Sequence, residues 1–118
     1  MMFVTGPLFA GKRDYVCRAM GWTQEQLAAR AVWDVQYLAA DAPDAGALAE
    51  LADRLAGYEV VIATEVGGGV VPVDAHERAA REAAGRLACL LAQRAETVVR
   101  VVCGLPQTLK GDSSCWSI

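Results

Sequence analysis

The stretch GPLFAGKR, residues 6–13, decides how the rest of the chain is read. It satisfies Gly-x-x-x-x-Gly-Lys, in which glycines let successive backbone N–H groups turn inward on phosphate oxygens. The lysine of that pattern reaches the β and γ phosphates, and the helix that follows adds positive potential at its N-terminus. The pattern carries weight only between a strand and a helix. MFVT, residues 2–5, is a short apolar run of strand formers that feeds the loop, and RDYVCRAM can form a short helix ended by Gly21. The context is therefore met. Gly6, Pro7, Leu8, Phe9, Ala10, Gly11, Lys12 and Arg13 become candidate binding residues for a nucleoside triphosphate, ATP or GTP. Lys12 is the candidate group to stabilise a transferring phosphate. One position departs from the pattern. Arg13 stands where a Ser or Thr normally ligates magnesium, and a guanidinium only donates hydrogen bonds and repels a cation. Phosphate binding survives this change more readily than metal-assisted transfer. The plain alternative is a turn between the first strand and its helix.

Outward from the loop, TQEQLAARAVWDVQYLAA from Thr23 places Leu27, Ala31, Val35 and Leu38 on one face of a helix opened by a capping box of Thr23 and Gln26. DAPDAG reads as a turn, and ALAELADRLAGY returns to helical spacing through Leu48, Leu51 and Leu55. YEVVIAT, 58–64, is a continuous β-branched run typical of a strand covered on both faces, with EVGGGVVP as the loop after it. Asp74 can cap a long helix over 75–95, whose Ala84, Leu87 and Leu91 face the core while Glu77, Arg78, Arg81 and Arg86 are exposed or at a site. TVVRVVCG, 97–104, reads as a last strand, and LPQTLKGDSSCWSI as an irregular tail. Strands alternating with helices imply parallel crossovers, hence an α/β fold with its ligand site at the carboxyl ends of the strands. The loops after Thr5, Thr64 and Cys103 then converge on one rim. Residues 1–110 form the nucleotide-binding domain and 111–118 a C-terminal tail.

Composition narrows the function classes. A net charge of -3 argues against a nucleic-acid binder that relies on phosphate neutralisation. No apolar run reaches membrane-spanning length and no leader pattern opens the chain, so a cytoplasmic protein is expected. Cys17, Cys89, Cys103 and Cys115 are scattered without a Cys-x-x-Cys pair, and one histidine is too few to complete a zinc set. Cys89 and Cys103 sit in apolar runs and read as small buried hydrophobes. No metal-ligating set is expected. Glu65 ends a buried strand at the predicted rim, where it can act as a base or hold a metal-bound water; its alternative is a simple strand-end charge. Arg78 and Arg81 are candidates to reach nucleotide phosphates, within the subunit or across a boundary, against a solvated helix face. Trp22, Trp33 and Tyr37 read as core or interface aromatics rather than ligand stackers.

The run from Thr64 to Pro72, then Arg78, Arg81, Gly85, Arg86 and Leu87, and finally Cys103 to Lys110, resembles the bifunctional adenosylcobinamide kinase/adenosylcobinamide-phosphate guanylyltransferase family. That family's pattern is approximately Asn-Glu-Val-Gly-x-Gly-x-Val-Pro, Arg-x-x-Arg-Asp, Gly-Arg-Leu-Asn and Gly-Leu-Pro-x-x-x-Lys. The resemblance implies a P-loop, RecA-like, mainly parallel sheet flanked by helices, here reduced in size and commonly assembled as a trimer. It implies phosphorylation of the aminopropanol hydroxyl of adenosylcobinamide by a nucleoside triphosphate. Transfer of GMP through a guanylylated histidine would follow. Members are half as long again, so a middle segment is missing. Two alignments are open. If TQEQLAARAVWD matches the family's helix, the nucleophilic histidine falls on Asp34; if AVWD matches a later Walker-B-like strand, Asp34 is the magnesium-side aspartate. Either removes the histidine. His76, on the helix after EVGGGVVP, is not at the family's position and reads as solvent-facing. A carboxylate is a weaker carrier for a nucleotidyl group. The resemblance therefore implies kinase chemistry with Lys12, Glu65 and Asp34, and loss of guanylyl transfer. A nucleotide- or corrinoid-binding oligomeric partner without turnover is the competing reading.

Overall fold

The structure is a computed structural model that describes residues 1–66 and 74–111. Its centre is three parallel strands: β1 (Met2–Gly6), β3 (Val60–Thr64) and β4 (Thr97–Val102). They are almost wholly apolar because both faces are covered, and burial is continuous along β3 except at Thr64. A two-residue strand β2 (Ala31–Val32) runs parallel to β3, and β5 (Leu105–Lys110) runs antiparallel to β4, giving the order β2-β3-β1-β4-β5. Register places Met2 beside Val60 and Thr97, so the three central strands end together at one rim.

The two-residue side-chain period divides the core. Met2, Val4, Val60, Ile62, Val99 and Val101 face α1 (Lys12–Met20) and α2 (Gln24–Arg30), packing on Tyr15, Val16 and Leu27. Phe3, Val61, Ala63 and Val98 face α3 (Ala45–Leu55) and α4 (Ala75–Arg94), packing on Leu48, Leu51, Ala84, Leu87 and Leu91. Fully burying one such leucine, valine or phenylalanine is worth about 1.5–3 kcal/mol. The result is an α/β sandwich with a mostly parallel five-stranded sheet flanked by helices.

Helix boundaries follow local signals. Gly21, at φ 68°, ends α1 and returns its N–H to Cys17. Thr23 and Gln26 form the full capping box of α2, and the Asp44 and Asp74 carboxylates accept from the Ala47 and Glu77 amides to open α3 and α4. Among the described residues no helix is long and apolar enough to cross a membrane.

Three readings need correction. The single helix from Thr23 breaks at Ala31, where the chain pairs with β3 (Ala31 beside Val60, Val32 beside Val61) and then forms a 3-10 helix, Val35–Asp41. Leu27, Ala31 and Val35 are buried, whereas Leu38, at 43% exposed, is not part of the expected face. Residues 105–110 are a strand rather than an irregular tail. Cys103 and Gly104, both at positive φ (52° and 75°), make the two-residue turn that sends β5 back along β4. Cys89 and Cys103 are exposed, not buried: one lies on α4 beside α3 and the other on that turn. Cys115 and most of EVGGGVVP lie outside the described residues.

Candidate functional site

Gly6 leaves β1 at φ 152°, and a Cβ there would overlap the Val101 carbonyl oxygen, so the loop entry sits against β4 without room for a side chain. The chain then winds through Phe9 (φ 59°) and Gly11 (φ 83°), which caps α1 in the left-handed region. The Ala10 carbonyl accepts from the Gly104 amide (2.8 Å), tying the loop to the β4–β5 turn. Phe9 is 94% exposed, so nothing packs on it to offset its strained backbone. Among the described residues the non-glycine positions at positive φ are Phe9, Asp34 and Cys103, and all three lie at this rim. Strain of this kind concentrates at binding sites.

The loop borders a cavity of about 580 Å³ lined by residues 8–14 together with Gln24, Trp33, Asp34, Ile62 and Thr64. Lys12 is 8% exposed, and its Nζ donates to the Pro7 carbonyl (2.7 Å), folding the ammonium back into the loop. Burial pulls its pKa below the usual lysine value and Arg13 adds to that, while Asp34 and Glu65 oppose it. The Arg13 guanidinium lies over the Trp33 ring, 5.4 Å from its centroid. Asp34 follows β2 in the left-handed region, at the cavity wall. Gln36, buried just beyond it, accepts from the Thr64 amide (3.0 Å) and fixes the end of β3.

Glu65 leaves β3 with its amide donating to the Gly6 carbonyl (2.8 Å). Its carboxylate is held by Arg100 through two bonds, Nε to Oε1 (2.6 Å) and Nη2 to Oε2 (3.0 Å). The pair bridges over the end of β1. The Arg100 hydrogen bond holds the Glu65 carboxyl below its ordinary value, with Lys12 adding to the effect and partial burial working against it. A carboxylate so held is a poor proton acceptor.

Gly6 through Arg13, Asp34 and Glu65 thus gather at one rim. Arg78 and Arg81 do not line the cavity: Arg78 is exposed on the first turn of α4, and Arg81 pairs with Glu77 (3.4 Å). His76 is exposed near the start of the same helix. Trp22 and Trp33 pack partly against the core, Trp33 also at the cavity wall, while Tyr37 is 69% exposed. Sequence reading missed Arg100, whose signal was a lone charge in an otherwise apolar strand, and the cavity role of Trp33.

A magnesium ion on the phosphates would need hard oxygen ligands. Position 13 supplies none and both Glu65 oxygens are engaged by Arg100, which leaves the Asp14 and Asp34 carboxylates and the Thr64 hydroxyl at the cavity; among the described residues no group of three His, Cys, Asp or Glu could hold a metal. The described residues thus offer no three-ligand protein cage and no hydroxyl after the loop lysine, and a magnesium ion here would rest chiefly on the nucleotide's own phosphates with the Asp14 and Asp34 carboxylates of the cavity wall.

A mostly parallel α/β sheet with a cavity at the carboxyl ends of its strands defines the class of protein. Within that class, the description of the cobinamide kinase / cobinamide phosphate guanyltransferase family matches residues 21–109, well over half of the chain, and the chain belongs to that family. It is 35% identical over 86 residues to the bifunctional adenosylcobalamin biosynthesis protein CobP of Pseudomonas aeruginosa, covering 69% of this chain and 50% of that protein. The chain therefore spans about half the length of the curated relative it matches. The loop at 6–13 precedes the matched family segment.

Proposed function

We propose that this chain binds a nucleoside triphosphate, ATP or GTP, at the 6–13 loop and transfers its γ-phosphoryl group to the aminopropanol hydroxyl of adenosylcobinamide. The supporting observation is the buried Lys12 ammonium at the floor of a loop whose glycine-dependent geometry opens onto the cavity. In such a step the acceptor oxygen attacks the γ-phosphorus, the bond to the β-phosphate oxygen breaks, and the nucleoside diphosphate leaves. Asp34 takes the hydroxyl proton, and Lys12 stabilises charge on the transferring oxygens. Arg78 and Arg81 reach the phosphates from a neighbouring subunit of a homo-oligomer, a trimer by likeness to the family. We infer that guanylyl transfer is absent, a reading supported by the lack of a histidine among the described residues that line the cavity. Its proposed location is the cytoplasm.

The test is transfer of label from γ-labelled ATP or GTP to adenosylcobinamide. Wild type is expected to transfer it and Lys12→Ala is not. A specific observation favours a second reading: Arg13 in place of an oxygen ligand and Glu65 tied to Arg100 both weaken metal and base chemistry. Binding by the wild type without transfer would select a nucleotide-binding partner protein that does not turn over.

A further inference from the structure

We infer that the 6–13 loop takes its triphosphate without a divalent cation, the Arg13 guanidinium leaving Trp33 to supply the positive charge that a metal would otherwise bring. The inference rests on the proposed nucleotide-binding role and deepens it.

Three observations carry it. Arg13 lies in the first turn of α1, directly after the buried lysine, and its side chain borders the same cavity as Lys12 and Asp34. Its guanidinium is parked over the Trp33 ring at 5.4 Å, and it takes part in none of the ion pairs of the described residues. Of the acidic side chains at the rim, Glu65 has both oxygens occupied by Arg100, and the cavity's own carboxylates, Asp14 and Asp34, share it with the two cations Lys12 and Arg13.

Physical chemistry then orders the outcomes. A guanidinium matches two phosphate oxygens with a pair of charge-assisted hydrogen bonds, which are stronger than a contact with an aromatic face in water. Phosphate therefore displaces Trp33 as the partner of Arg13. A divalent ion entering the same space meets two cations, Lys12 and Arg13, and on the nucleotide it cancels the negative charge those cations recognise. Magnesium should thus leave affinity unchanged or lower it, the reverse of what a loop with a hydroxyl ligand shows. Trp33 reports the event, because its cationic neighbour departs on binding.

The experiment titrates ATP and inorganic tripolyphosphate into the full chain, in EDTA and in excess magnesium, by calorimetry and by tryptophan emission. The variants are Arg13→Ser, which restores a hydroxyl, Arg13→Lys, Trp33→Phe and Lys12→Ala, each checked by circular dichroism. Expected results are wild-type binding in EDTA at least as tight as in magnesium and an emission change that Trp33→Phe loses. Arg13→Ser should weaken binding in EDTA about tenfold or more, the size of one lost charge-assisted contact, and should recover in magnesium; Arg13→Lys falls between. Wild-type binding that requires magnesium and is abolished by Lys12→Ala overturns the inference while leaving the nucleotide role intact. Arg13→Ser binding like wild type in EDTA also overturns it. No binding by wild type in either condition removes the nucleotide role and the inference together.

Discussion

Replacing Gly6 by Ala separates the architectural duty of the first loop glycine from its duty to a ligand. Gly6 has φ 152°, and its hypothetical Cβ overlaps the Val101 carbonyl oxygen with the Val101 carbonyl carbon close behind at 3.2 Å. Val101 is fully buried in β4, between β1 and β5, so the obstructing atom belongs to backbone that two neighbouring strands hold. The disfavoured dihedral costs about 1–3 kcal/mol. The overlap adds roughly 1–3 kcal/mol as an overpacked core does. Together about 2–6 kcal/mol is lost from a total that for a domain is on the order of 5–15 kcal/mol. Gly11 provides the contrast. It too is left-handed (φ 83°), but its Cβ would meet nothing nearer than the Gly104 Cα at 3.6 Å. Gly11→Ala therefore pays only the left-handed penalty of about 1–2 kcal/mol. Urea unfolding followed by far-ultraviolet circular dichroism measures both, with the change read from midpoints at constant slope. Equal destabilisation of the two variants, or a Gly6→Ala loss below about 1 kcal/mol, would refute the close approach on which the loop geometry depends.

Acid tests the Glu65–Arg100 pair. Because Arg100 depresses the Glu65 pKa in the folded state, the pair's stabilisation is fully present above the unfolded value near pH ~4.3 and is lost as pH falls through the lower folded value. Wild type should accordingly lose stability more steeply than Arg100→Leu on acidification below that point, and superimposable pH profiles would count against the pair. Incubation with α-labelled GTP should leave no acid-labile, base-stable phosphoramidate on the protein, and finding one on His76 would restore the guanylyl-transfer step. Asp34→Asn should keep nucleotide affinity and lower transfer by about 10²-fold or more if the carboxylate is the base; unchanged transfer would remove that role. Asp74→Ala should cost α4 about 1 kcal/mol through its lost cap, read from thermal unfolding.

Much of the fold was legible because β1, β3 and β4 are apolar runs that need covering on both faces, and α1, α2, α3 and α4 begin or end on capping residues that act locally. The break at Ala31 was not. Leu27, Ala31 and Val35 sit four apart and satisfy a helix, while the strand that claims Ala31 and Val32 exists only because β3 offers its edge. Strand β5 hid for a similar reason. All six residues are exposed, one is proline, and the turn that pairs it with β4 uses Cys103-Gly104 where Asn-Gly is the readable signal. At the site, the loop residues were found because their pattern is contiguous. The partnership of Glu65 with Arg100 joins positions 35 apart across β1, and the seat of Arg13 on Trp33 depends on β2 ending where it does. Neither has a sequence spacing to announce it.

The most direct test of the central claim is a calorimetric titration of ATP and GTP into the wild-type chain and into Lys12→Ala. The account predicts saturable binding by the wild type that Lys12→Ala loses, with the fold of the variant intact. Binding that is indifferent to Lys12, or no binding by the wild type, would contradict it and leave the 6–13 loop as a turn between β1 and α1.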